Sequence, residues 1–271
     1  MSRIKIGLSL LALVLLWVGN MTYYQRHQLD EPLFMKHYYN IVTLGNQLNF
    51  ELYYLVNQRE DVGIYRLHLP DSEIDLYPTW EHDNNHSQYH KLKNARFEWD
   101  EVALESLKDD MQIREIEVEF TNGSRKLVDI GEILIRKTNE DPAYIHSQSS
   151  GSSSDNTGFS HYRQKEELKF IGLKHLPPQL DAKYLSFQVN GQHVEVASPS
   201  HNLDFKPYLE VKYAFHFPQD DPRAQNIYSS MSELEVQTPD GQIKEGLMFI
   251  NYTPNWSTAD IRAILRERRA K

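Results

Sequence analysis

Three histidines recur at every fourth position, His82, His86 and His90, in the polar stretch that follows Trp80. The run His82-Asp83-x-x-His86 imitates the H-E-x-x-H helix of zinc proteases, in which two imidazoles hold the metal and the acid between them is the general base. Distance argues against a site built from all three. On a helix His82 and His90 stand about 12 Å apart along the axis, and on a strand further still, so they cannot share one tetrahedral ion. At most two could ligate, with further ligands from elsewhere. Asp83 reaches less far than a glutamate, and Asn84, Asn85 and the scarcity of apolar neighbours disfavour a regular helix. The expectation for 81–88 is a polar surface loop with no resident metal.

Other groups offer chemistry with less geometry. The serine-rich stretch 147–158 supplies hydroxyls, but it reads as a flexible segment in which no neighbour holds a base in line. Glu115, Glu117 and Glu119 alternate along a strand, so neighbours on one face lie about 7 Å apart, too far to share a calcium ion unaided. A solvated strand face accounts for them. The 16 tyrosines, paired at Tyr23-Tyr24, Tyr38-Tyr39 and Tyr53-Tyr54, could stack on sugars. Half-buried strand positions with a wet hydroxyl explain such residues more simply. Phosphate loops, dinucleotide fingerprints, nucleophile elbows and EF-hand spacing are all missing from the sequence. With no cysteine, disulfides, thiolate nucleophiles and iron–sulfur clusters are excluded. No cofactor is expected. Any catalytic set would be His and carboxylate groups brought together from distant strands, which linear spacing cannot reveal. Asn-x-Ser/Thr triplets at Asn20, Asn85, Asn122, Asn251 and Asn255 matter only in a glycosylating compartment.

The elements that would position these residues are strands. Residues 50–56 and 62–69 are rich in β-formers, and Ile116, Val118 and Phe120 alternate with Glu115, Glu117 and Glu119. Asn122-Gly123, Asn190-Gly191 and Asp240-Gly241 follow alternating runs and tolerate the positive φ of hairpin turns. A two-residue turn at Asn122-Gly123 would set Glu119 opposite Lys126. Leu209, Val211, Tyr213 and Phe215 alternate with polar neighbours. Tight turns without intervening helices predict an all-β fold of antiparallel sandwiches, two of them and immunoglobulin-like, over 36–146 and 159–256. Residues 147–158 join them as a flexible linker, or form a long loop within one larger domain.

The two ends differ from this middle. Ser257 and Asp260 form a capping box, and Ile261, Ile264 and Leu265 make a narrow apolar stripe, predicting a helix within 257–271. That helix is expected to dock on the last domain with its basic tail in solvent. Arg262, Arg266, Arg268 and Arg269 are the candidate contacts for an acidic partner, whether envelope protein, polymer or lipid headgroup.

At the start, Arg3 and Lys5 lie within residues 1–5 and precede an apolar stretch over 6–24 with Trp17, Tyr23 and Tyr24 at its exit. Its length approaches the roughly 20 residues of a membrane span, and no small-residue cleavage pair follows it. A retained single-pass anchor is expected, its N-terminus cytoplasmic by the positive-inside rule. The net charge is −9, which argues against nucleic acid as a partner. The sequence thus predicts an anchored extracytoplasmic protein with a non-catalytic binding, sensing or assembly role. The alternative is an envelope hydrolase.

Overall fold

In the computed structural model, which describes residues 2–43, 48–70, 72, 74–85, 88–99, 104, 109–137, 145, 147–163, 167–195, 203–205, 208–218 and 220–269, two helices bracket a succession of strands. The long helices among the described residues are α1 (Ser2–Gln25) and α2 (Thr258–Arg269). The first strands are β1 (Leu33–Phe34), β2 (His37–Val42), β3 (Leu48–Asn57), β4 (Ile64–His68), β5 (Asp75–Leu76), β6 (Pro78–Asn85), β7 (His90–Trp99), β8 (Met111–Phe120) and β9 (Arg125–Arg136). Then come β10 (Ser147–Ser152), β11 (Thr157–Arg163), β12 (Leu168–Lys174), β13 (Leu185–Val189), β14 (Gln192–Val194), β15 (Leu203–Phe205), β16 (Tyr208–Phe215), β17 (Ile227–Gln237) and β18 (Ile243–Tyr252).

Alternation decides which face of each strand is buried. In β16, Leu209, Val211, Tyr213 and Phe215 point inward while Glu210, Lys212 and Ala214 stay at the surface. Three sheets result: a four-stranded sheet β1-β3-β7-β6, a five-stranded sheet β10-β11-β16-β13-β14, and a nine-stranded sheet that runs β15-β12-β17-β2-β9-β8-β4-β5 with β18 also on β17. The four-stranded sheet closes a core over one half of the long sheet, with Leu52, Tyr54 and Phe97 against Leu67, Ile116 and Ile133. The five-stranded sheet closes a second core over the other half, with Phe187, Val211 and Tyr213 against Phe170, Leu234 and Ile250. The all-β class therefore holds, but the two cores share one sheet.

Strand β17 makes that sharing possible. One edge pairs with β18 along Tyr228 to Gln237. The other edge is divided: Ile227 to Ser230 run parallel to His37 to Asn40 of β2, and Glu233 to Gln237 run antiparallel to β12. Strand β2 is also parallel to β9. The sheets are thus antiparallel except around β2, a departure that short-range turn signals cannot register, because parallel neighbours come from distant parts of the chain.

The Asn190-Gly191 hairpin has the expected two-residue turn, both residues at positive φ (48° and 81°). At Asn122-Gly123 the turn is one residue longer. Glu119 faces Arg125 rather than Lys126, with Gly123 at φ 80°. The Phe120 N–H donates to the Ser124 carbonyl at 2.9 Å, closing a three-residue loop. Glu119 then pairs with both Arg66 (2.8 Å) and Arg125 (3.1 Å), so this end of the acidic row is bridged rather than merely solvated.

Two further expectations are corrected. Residues 147–158 are not a flexible linker: Ser147–Ser152 is the edge strand β10, paired with β11, and Asp155 caps the turn by accepting from the Thr157 N–H and hydroxyl. Serine can line an exposed edge because its backbone is satisfied on one side by the ladder and on the other by water. Helix α2 packs into the first core, with Ile227 of β17 in the same cluster, rather than into the second. Trp256, Ile261 and Leu265 are buried in the first core, beside residues some two hundred positions earlier. Its N-terminus carries the expected box, with the Asp260 carboxylate accepting from the Ser257 N–H at 2.7 Å.

Candidate functional site

The five-stranded sheet presents its outer face to solvent, and on it one row of side chains crosses three strands. Ser149 of β10 lies opposite His161 of β11, which lies opposite Glu210 of β16. Ser149 Oγ is 3.0 Å from His161 Nδ1, and His161 Nε2 is 3.0 Å from Glu210 Oε1. A neutral imidazole accepts at one nitrogen and donates at the other, so the row is satisfied with the Ser149 hydroxyl donating to Nδ1 and Nε2–H donating to the carboxylate. The His161 hydrogen bond, then that of Lys212 at 2.9 Å, holds the Glu210 carboxyl below the usual glutamate range.

This is the polarity of a hydroxyl, base and acid in relay, the order a serine nucleophile requires. The β10–β11 register shifts between Ser147 and Ser149, and a bulge of this kind re-aims the side chains beside it. Rings flank the histidine: Phe159 at 4.8 Å and Tyr208 at 5.5 Å between centroids, with Tyr208 about half exposed. Phe159 lies across Gly151, where a Cβ would come within 3.0 Å of the ring, so only glycine lets the ring lie flat on the edge strand. A shallow groove of about 250 Å³ adjoins the row, lined by Phe159, Ser186, Gln188, Lys212 and Tyr213. A second hydroxyl–imidazole pair, Ser186 with His216 at 2.8 Å, lies on the same face.

None of these residues stands out in the sequence. Ser149 is hidden in a tract that reads as unstructured, and His161 and Glu210 are single polar positions in alternating strands. Their outward parity was the one available signal.

The histidine cluster is taken apart by the fold. Residues 78–85 and 90–99 form a hairpin rather than a loop. His82 stacks face-on with exposed Trp80 (5.6 Å, 7° between planes), whereas His90 is buried at the start of β7. His86 lies outside the described residues. Among the described residues no group of three or more His, Cys, Asp or Glu is placed to hold a metal ion. Between His82 and its neighbours the working groups are carboxylates. Glu81 accepts from the Tyr54 hydroxyl (2.6 Å), the Ile64 N–H (3.1 Å) and Lys93 Nζ (2.7 Å), a structural knot between β3, β4, β6 and β7.

A larger cleft, about 820 Å³, lies elsewhere, along β2, β8 and β9. Four of its charged groups pair, Lys36 with Asp129 and Glu132 with Arg114 (3.5 Å), and Glu115 also lines this open polar trough. Of the arginines expected to meet a partner, Arg262 and Arg266 are exposed on α2, and Arg268 and Arg269 fall in its last turn.

Fold and site together define an all-β protein of several largely antiparallel sheets with an N-terminal helix, Ile6–Gln25, long and apolar enough to cross a membrane. No protein-family model matches the chain, and no curated protein matches it. Among solved structures it is similar to a protein of unknown function from Porphyromonas gingivalis W83, with 7% identity over 82% of this chain and 96% of that one. The TM-score is 0.19, too low to carry an argument about fold or activity.

Proposed function

We propose that α1 anchors this protein in the cell membrane with its N-terminus in the cytoplasm, and that the β part acts outside by binding an envelope protein or polymer. Helix α1 is the observation that carries the reading. None of Ile6–Gln25 is buried against the rest of the molecule, and Leu11, Leu16 and Trp17 are each more than half exposed. Twenty such residues rise about 30 Å, the thickness of a bilayer's hydrocarbon core, and leaving them in water would forfeit their whole transfer free energy. Arg3 and Lys5 favour the cytoplasm for the leading end. The open sheet face with the Phe159, His161 and Tyr208 rings supports a binding role, since an exposed ring cluster edged by polar groups is the usual dress of a recognition surface.

The test is extraction and protease access. The intact, unprocessed chain should resist alkaline carbonate, and trypsin added to intact protoplasts should digest the β part. Release by carbonate, or a β part sheltered from trypsin, would overturn the reading.

A second reading, an envelope hydrolase, is favoured by the Ser149–His161–Glu210 row alone. A fluorophosphonate probe separates the two: adduct formation at Ser149 that is lost on His161→Gln supports turnover, and an unlabelled Ser149 removes it.

A further inference from the structure

Where α1 ends, it meets the folded part through rings. Tyr23 and Tyr24 lie 6.3 and 6.0 Å from Tyr89, His27 stacks on Tyr89 at 4.7 Å, and the Arg59 guanidinium sits 5.2 Å over Tyr24. The Leu29 N–H donates to Asn57 Oδ1 at 2.7 Å. The end of the β unit nearest α1 is therefore the C-terminal end of β3 together with the residues just before β7.

Helix α2 runs toward the same end. Trp256, just ahead of it, packs beside Tyr53 (6.1 Å), four positions before Asn57 at the close of β3 and hence about 13 Å from it. Six residues later Arg262 is close enough to act on the Tyr89 hydroxyl, opposing the upward push exerted there by burial and then by Tyr23. Ile261 and Leu265 are buried while Arg262 and Arg266 are exposed, so the helix lies with one face on the first core and a cationic face outward. Arg262 and Arg266 fall at i and i+4, one stripe of a helix. Of the two acids in α2, Asp260 is engaged as the cap of Ser257. On a chain of net charge −9 this stripe is a cationic face, with the exposed acid Glu267 beside it.

We infer that the Arg262–Arg266 face of α2 seats on the phosphates of anionic lipids in the leaflet from which α1 emerges, giving the β unit a second membrane contact. The inference rests on the reading of α1 as a membrane anchor. Its warrant is charge complementarity together with position. Each arginine near an anionic surface strengthens adsorption, and an acidic protein needs such a foothold to lie against that surface at all.

The test uses the full chain reconstituted into vesicles of phosphatidylcholine alone, or of phosphatidylcholine mixed with phosphatidylglycerol. Tryptic cleavage after Arg262 and Arg266 and amide exchange of α2 are followed on outward-facing molecules. Cleavage should slow roughly tenfold or more in the anionic vesicles, and the protection should vanish at about 0.5 M salt. In the double variant Arg262→Gln, Arg266→Gln, exchange of α2 should become blind to lipid composition. Flotation at alkaline pH on the same samples keeps the two readings apart. Protein that fails to float overturns the anchor, whereas inserted protein cleaved equally fast in both lipids overturns this inference and leaves the anchor standing.

Discussion

Arg136 on β9 and Glu233 on β17 meet at 2.5 Å, an ion pair at the seam where the two cores share a sheet. Both side chains are largely buried, at 10% and 14% exposed. The guanidinium is fully employed: Nε donates to Asn40 Oδ1 at 2.8 Å and Nη2 to the Met231 carbonyl at 3.1 Å. Around it, Asn40, Ser230 and Ser232 all donate to the His175 carbonyl, whose residue adopts φ 58°. A buried charge pair of this kind contributes little net energy beyond a well-packed apolar one, yet losing one partner strands the other.

Removing only the arginine should therefore cost more than removing both charges. Arg136→Met is expected to lower stability by about 3–5 kcal/mol. The double variant Arg136→Met, Glu233→Leu should recover much of that loss. Urea unfolding followed by tryptophan fluorescence measures both, and equal losses in the two variants would contradict the account.

Acid should weaken the fold before most carboxylates titrate. His37 is fully buried and accepts the Tyr53 N–H at Nε2 (2.9 Å), and burial drives its pKa from 6.5 down to about 3. The unfolded imidazole takes up a proton near pH 6.5 while the folded one stays neutral, so stability is complete above 6.5 and falls as pH drops toward 3. The difference reaches about 2.7 kcal/mol at pH 4.5. Denaturation midpoints from pH 8 to 4.5 should trace this slope, and His37→Gln should flatten it.

Gly131 is the residue opposite His37 in the parallel ladder, at φ 103°. A Cβ there would lie 2.4 Å from the His37 carbonyl oxygen, which is backbone and cannot swing aside. Gly131→Ala should cost about 2–4 kcal/mol. Gly172→Ala, where nothing lies within 4 Å and φ is ordinary, is the matched control and should be nearly silent.

Trp256 fixes α2 to the first core. It is 3% exposed, and its indole N–H donates to the Gln225 carbonyl at 3.2 Å. Trp256→Ala should lose about 3–5 kcal/mol and raise amide exchange throughout α2. Unchanged exchange in the helix would mean that Ile261 and Leu265 suffice to hold it.

Local physics is well written in this sequence, and long-range pairing is not. Period-two runs identify β3, β8, β16 and β17, and Asn190-Gly191 gives its turn outright, because each signal lies within one hairpin. The parallel neighbours of β2 come from residues 131–136 and 227–230, and no local pattern encodes that meeting. Composition misleads at Ser147–Ser152, where small polar residues resemble a linker yet suit an edge strand. The Ser149–His161–Glu210 row depends on that strand forming, so it was invisible for the same reason. The His82, His86, His90 spacing resembles a metal motif, but the hairpin puts exposed His82 on β6 and buried His90 at the start of β7, as unrelated groups.

The burial of Trp256, Ile261 and Leu265 among residues of the first half imposes an order of events on biosynthesis. A chain emerging N-terminus first can assemble most strands of the opening half, but the last pieces of its interior arrive only with residues 256–265. Until then an apolar gap stays open in the first core, where a chaperone can occupy it. Synthesis of residues 256–265 and completion of the first core are consequently coupled, and a molecule truncated before Trp256 would be left unfinished at its N-terminal half.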